Sequence, residues 1–310
     1  MLALDRVSKS FQTGTFGGTE LVAVRDVSFT IAPGEIVSLI GESGSGKSTI
    51  GRMILRLLPV TGGSISFEGT DVSGLRGRAL KEYYRHVQGV FQDPFSSYNP
   101  IFKVDRVFSL VRDTYFPRTR SSAWAEKVAG SIEAVGLNAA DVLGKYPHQL
   151  SGGQLQRLLI ARALLLDIRF LVADEVISML DASTRVDVLN LLADLKERGL
   201  GILFITHDLS LGNYVSERTV ILRRGRIVEL GPTEKVFGDP RHPYTKVLVA
   251  SVPQLHRKWR EIEDAMGAPG AIEHLAHEDA AESRDGVPTE LVEVSRGHLV
   301  ALAPGEEPGR

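Results

Sequence analysis

Apolar positions group into short runs that alternate with helical patterns. Glu35–Ile40 reads as a buried strand, followed by a glycine-rich loop. Lys47–Leu57 then carries Ile50, Met53, Ile54 and Leu57 at helical spacing. Further short apolar runs at Val87–Phe91, Phe170–Ala173, Ile202–Thr206 and Thr219–Leu222 predict strands. Ala182–Arg198 predicts a helix that Gly199 can terminate. Strands alternating with helices predict an α/β fold with a mainly parallel, helix-covered sheet.

Between about residues 96 and 166 the strand signal fades. Helical patterns near Trp124–Val135 and Gln154–Leu166 predict a helical subdomain inserted between strands of the sheet. Residues 1–237 then form one domain. Gly238-Asp239-Pro240-Arg241-His242-Pro243 is a turn-rich junction that opens a C-terminal extension, 238–310. Within it, Met266–Pro288 has the composition of a linker, and Glu290–Leu302 alternates like a hairpin turning at Ser295-Arg296-Gly297.

Composition narrows the chemistry. The 310 residues are 43% hydrophobic and 24% charged with a net charge of −2, ordinary for a globular protein and without a nucleic-acid footprint. Without cysteine, disulfides and thiol catalysis are excluded, which suits a reducing compartment. The N-terminal residues are charged too early for a secretory signal, and no stretch reaches the ~20 apolar residues of a membrane span. Action on a membrane would therefore require a partner.

Gly41-Glu42-Ser43-Gly44-Ser45-Gly46-Lys47-Ser48 carries the strongest chemical signal. Glycines let backbone N–H groups converge on phosphate oxygens, and the following helix N-terminus adds positive potential. Lys47 can reach the β- and γ-phosphates, and Ser48 can ligate Mg²⁺. Chance produces such a pattern in about one chain in a hundred of this length. Phe170-Leu171-Val172-Ala173-Asp174-Glu175 is an apolar strand ending in two carboxylates. Asp174 can hold Mg²⁺, and Glu175 can polarise an attacking water. Leu150-Ser151-Gly152-Gly153-Gln154 precedes a helix, so that Ser151 can cap it and the exposed N–H groups form a second anion site.

Taken together, these motifs resemble the nucleotide-binding subunits of ABC transporters. The resemblance makes Gly41–Ser48 the Walker A loop, with Gly41, Ser43, Gly44, Gly46, Lys47, Ser48 and Thr49 at the nucleotide. It makes Phe170–Asp174 the Walker B strand and Leu150–Gln154 the signature, with Ser151, Gly152, Gly153 and Gln154 as contacts. It implies that Gln92 is the Q-loop glutamine near Mg²⁺, that Ser178-Met179-Leu180-Asp181 is the D-loop, and that His207 is the switch histidine. Phe11, with Phe16 as an alternative, corresponds to the aromatic that stacks on adenine.

A closer similarity to oligopeptide/dipeptide importers rests on Gln92–Pro100, Tyr146-Pro147-His148-Gln149 and His242-Pro243-Tyr244-Thr245. One departure is Val176-Ile177, where that group usually has Pro-Thr. The resemblance implies a P-loop NTPase fold, ATP and Mg²⁺, and two ATPase subunits sandwiching two nucleotides, commonly as a heterodimer. It also implies two transmembrane permease subunits, an extracellular solute-binding protein and a position on the cytoplasmic face of the membrane. Cargo stays open between peptides, oligosaccharides, glycosides and nickel. The rival readings are a soluble non-transport ABC ATPase and a module that binds ATP without hydrolysing it.

Overall fold

The computed structural model describes residues 1–13, 19–251 and 290–302. Phe16 and the proposed linker 266–288 lie outside the described residues. The chain begins with β1 (Leu2–Thr13), β2 (Thr19–Ile31), β3 (Ile36–Ile40), α1 (Lys47–Ile54), β4 (Gly62–Phe67) and β5 (Thr70–Asp71). Next come α2 (Gly77–His86), β6 (Val87–Val90), and four helices α3 (Asp105–Tyr115), α4 (Ser121–Glu133), α5 (Ala139–Val142) and α6 (Gly152–Leu164). The sheet resumes with β7 (Phe170–Asp174), α7 (Ala182–Glu197), β8 (Gly201–Thr206), α8 (Leu209–Val215), β9 (Arg218–Arg223) and β10 (Arg226–Pro232). The described chain ends with α9 (Thr233–Gly238), α10 (Pro243–Ala250), β11 (Glu290–Ser295) and β12 (His298–Leu302).

Two sheets form. The larger has the order β11-β12-β10-β9-β3-β8-β7-β6. Its pairs β9–β3–β8–β7–β6 are parallel, whereas β9, β10, β12 and β11 pair antiparallel. The parallel strands β3, β7 and β8 are buried along their whole length, which explains why they read as unbroken apolar runs. Alternate residues of each strand face opposite cores. Leu171, Ala173, Ile202 and Phe204 join the core built with α3, α4, α6 and α7, while Phe170, Val172, Leu203 and Ile205 join the core beneath α1.

A second, four-stranded antiparallel sheet, β2-β1-β4-β5, packs on that other core. The sequence reading missed it. β1 and β2 carry positive-φ residues at Arg6 and Asp26 and register shifts in their pairing, so their alternation is interrupted. The terminal hairpin forms as read, but it is also part of the main sheet: β12 pairs with β10. Helix ends differ from the sequence reading by one to three residues, the usual uncertainty of frayed ends.

Candidate nucleotide site

Topology gathers the chemistry. β3, β8 and β7 are adjacent and parallel, so the segments leaving their carboxyl ends come together. β3 leads into Gly41–Ser48, β7 ends at Asp174-Glu175, and β8 ends at Thr206-His207. Two glycines of the first loop are obligatory. A Cβ on Gly41 would lie 2.1 Å from the Leu222 carbonyl oxygen, and Gly46 has φ +104°.

Lys47 is buried at the start of α1, and its Nζ donates to the carbonyl oxygens of Gly41 and Glu42, both at 2.7 Å. Burial pushes its pKa down, partly opposed by Glu175, Asp174 and Glu42. An ammonium held by neutral carbonyls in a poorly solvated site is suited to receive an anion. Ser48 Oγ donates to Asp174 Oδ1 at 3.2 Å. Burial raises the Asp174 pKa, with the Ser48 hydrogen bond acting in the opposite direction. A buried carboxylate beside a hydroxyl, both hard oxygen donors, fits Mg²⁺.

Glu175 has φ +50°, a left-handed conformation that non-glycine residues adopt at a cost and that recurs at working sites. Its N–H donates to the Ile205 carbonyl at 2.9 Å, tying the end of β7 to β8. Its Oε1 lies 3.2 Å from His207 Nδ1. These two line a cavity of about 280 Å³ together with Gln92, Ser178, Met179, Arg185 and Asp208. A larger cleft, lined by Arg56, Pro59, Val60, Ser73 and Arg76, contains none of the residues singled out from the sequence.

The signature forms the start of α6. Ser151 Oγ accepts the Gln154 N–H at 3.2 Å while Gln154 Oε1 accepts the Ser151 N–H at 3.0 Å, a reciprocal cap on α6. Among the described residues no hydrogen bond joins Ser151–Gln154 to Gly41–Ser48. A Cβ on Gly152 would meet nothing within 4 Å, whereas one on Gly153 would lie 2.5 Å from Thr184 Cγ2. Asp181 caps α7, accepting from Thr184 N–H and from the hydroxyls of Ser183 and Thr184, and these bonds hold its pKa down to about 2. Phe11 is half-buried on β1 with Lys9 Nζ 5.0 Å from its ring centroid. Ser43 and Gly44 are exposed on the loop, and Thr49 lies in the first turn of α1.

Sequence reasoning missed three supports. Arg185 Nε holds the Leu180 carbonyl at 2.8 Å, Gln156 Nε2 holds the Phe91 carbonyl next to Gln92 at 3.1 Å, and Tyr244 reaches the Walker A loop. Only adjacency to a motif could have flagged the first two. Val176 and Ile177 are buried in the core beside Leu180, so the apolar pair that replaces the usual Pro-Thr is used in packing.

The ABC transporter family model matches residues 24–178, and the model of the oligopeptide/dipeptide transporter C-terminal region matches residues 228–277. The chain belongs to the ABC transporter ATP-binding family. The oligopeptide transport ATP-binding protein OppF of Streptococcus mutans is 40% identical over 308 residues, covering 99% of this chain and 96% of that protein. The dipeptide transport ATP-binding protein DppF of Lactococcus lactis is 40% identical over 304 residues, covering 97% and 93%. Among solved structures, a dimeric post-hydrolysis state of an ATP-binding cassette bound to ADP and Pi superposes with a TM-score of 0.68 at 28% identity. The match covers 75% of this chain and 99% of that one. This ABC cassette is thus the ATP-hydrolysing subunit of an importer. No helix among the described residues is long and apolar enough to cross a membrane.

Proposed function

We propose that this cassette powers peptide uptake as one half of an ATPase pair, with each nucleotide held between the Walker loops of one subunit and the signature of the other. The observation that carries this reading is the signature's geometry. Ser151 is exposed, Gly152 is half-buried with free space where a Cβ would stand, and the capped helix start makes no hydrogen bond to its own Walker A loop among the described residues. A second anion site unconnected to the first is of use to a nucleotide bound elsewhere.

Within one site, Lys47 neutralises the phosphates and the loop N–H groups orient them. Ser48 and Asp174 would hold Mg²⁺, with Gln92 facing the same cavity; the ion, when bound, neutralises charge on the β- and γ-phosphate oxygens. Glu175 accepts a proton from the attacking water, which raises its nucleophilicity toward the γ-phosphorus. His207 orients Glu175 through the 3.2 Å contact. Closure couples to transport because nucleotide binds the open and closed pairs with different affinity.

Peptide cargo is supported by the relatives named for oligopeptide and dipeptide transport and by the matched C-terminal region. The exposed apolar residues Phe95, Ile101 and Phe102 follow Gln92 and suit docking on a permease subunit at the cytoplasmic face. A related second ATPase, two permeases and an extracellular binding protein complete the assembly. The test is reconstitution in vesicles. The chain alone should hydrolyse ATP slowly and with concentration dependence, and the full assembly should take up labelled oligopeptide in preference to oligosaccharide when ATP is present. Full turnover by a dilute monomer would refute the shared site, and preference for oligosaccharide would refute the cargo.

A further inference from the structure

The C-terminal extension reaches the Walker A loop. The Glu42 N–H donates to the Tyr244 hydroxyl at 3.1 Å, a contact between residues 202 positions apart. The other half of that same peptide group, the Gly41 carbonyl, accepts from Lys47 Nζ at 2.7 Å. A peptide group is planar, so fixing its N–H direction also fixes its carbonyl. Tyr244 and Lys47 therefore grip one rigid plane from its two sides, and hydrogen bonds in such a chain polarise one another.

Tyr244 is itself firmly held. Its ring is buried in a small core with Ile40, the residue before the loop, and with Leu209, Ile221, Val228 and Val236. Arg223 lies over the ring, 5.0 Å from its centroid. His242 Nδ1 accepts the Tyr244 N–H at 3.1 Å, and Pro243 opens the helix. The turn before it is pinned by Glu229 on β10, fully buried, whose carboxylate accepts the N–H groups of Arg241 at 3.0 Å and His242 at 2.9 Å. His298 of the terminal hairpin reaches the same carboxylate at 2.7 Å. The hydroxyl at the loop is thus the near end of a continuous set of contacts from the C-terminal hairpin.

We propose that Tyr244 is a positioning residue for the nucleotide: its hydroxyl fixes the Gly41–Glu42 peptide plane, so that the C-terminal extension sets the ATP affinity of its own cassette. The inference rests on Gly41–Ser48 being the phosphate loop. Tyr244→Phe removes the acceptor and keeps the ring. In the assembled transporter, KM for ATP should rise by about three- to ten-fold while kcat stays within about two-fold. Hydrogen exchange at the Glu42 amide of the nucleotide-free subunit should accelerate about ten-fold with little change in melting temperature.

An unchanged KM overturns the proposal, and so does a raised KM with unchanged Glu42 exchange, because the effect would then not pass through this bond. If Tyr244→Phe fails to fold, the wild-type protein decides: a protected Glu42 amide supports the bond, and exchange at the rate of an unstructured peptide refutes it. Lys47→Ala tests the underlying reading separately. If that variant retained full ATP affinity, the phosphate loop itself would be misassigned, whatever Tyr244 does.

Discussion

The two signature glycines make a sharp test of shared-site catalysis. In the isolated subunit a methyl at Gly152 would meet no atom within 4 Å, and Gly152 is not among the positive-φ glycines. It is the first residue of α6, immediately after the Ser151 cap. Replacing glycine with alanine at a compatible helical position reduces the entropy of the unfolded chain and favours the helix by about 0.4–1 kcal/mol. Gly152→Ala should therefore leave the separate subunit as stable as wild type or raise its melting temperature by about 1–3 °C. If the pair shares its sites as proposed, the same methyl in the assembled transporter would stand where the partner's γ-phosphate approaches the α6 N-terminus. Losing one such close backbone contact costs about 10²–10³ in turnover.

Gly153→Ala is the contrast. Its Cβ would lie 2.5 Å from Thr184 Cγ2, so Thr184 or the helix starts must shift, and overpacking of this kind costs about 1–3 kcal/mol. Thermal melts of the isolated subunit, paired with phosphate release by the assembled transporter, separate the two. Gly152→Ala that melts lower than wild type would refute the steric reading. Gly152→Ala with full transporter activity would refute the approach of a partner nucleotide.

Glu175→Gln preserves shape and the His207 contact but cannot accept a proton; turnover should fall by about 10²–10⁴ with ATP binding retained, as measured by phosphate release beside equilibrium nucleotide binding. Asp174→Asn should separate function from stability. A carboxyl whose folded pKa is raised above 3.8 by burial disfavours folding once the pH exceeds that value, so the amide should leave the metal-free subunit at least as stable at neutral pH in urea titration. If Asp174 holds Mg²⁺ as proposed, the variant's ATP turnover should nevertheless fall by about a hundred-fold or more. His298→Ala removes a buried partner of Glu229 and should cost about 2–3 kcal/mol of stability in urea titration; a cost near zero would mean that the hairpin adds nothing to the sheet.

Local pattern was enough to single out the candidate site residues. Glycine spacing, an apolar strand ending in two carboxylates, and a Ser-Gly-Gly-Gln helix start each encode their geometry within a few residues. Buried parallel strands announce themselves as apolar runs because both faces are covered. Contacts between distant segments leave no such trace. The antiparallel sheet of β1, β2, β4 and β5 was hidden because bulges and half-exposed positions blur its alternation.

Strand order brought the ends of β3, β7 and β8 side by side, and tertiary packing alone decided that Glu175 meets His207 and that Gln156 braces the Q-loop. The same holds for Tyr244. Its sequence neighbours read only as a turn-rich junction, and it is the tertiary structure, with Glu229 of β10 holding the Arg241–His242 turn, that delivers the hydroxyl to Glu42. The sequence determined the candidate phosphate-binding and proton-moving groups, because such motifs rest on short-range backbone geometry. The tertiary structure decided which of them share a site and what holds them there, because that depends on packing between residues far apart in the chain.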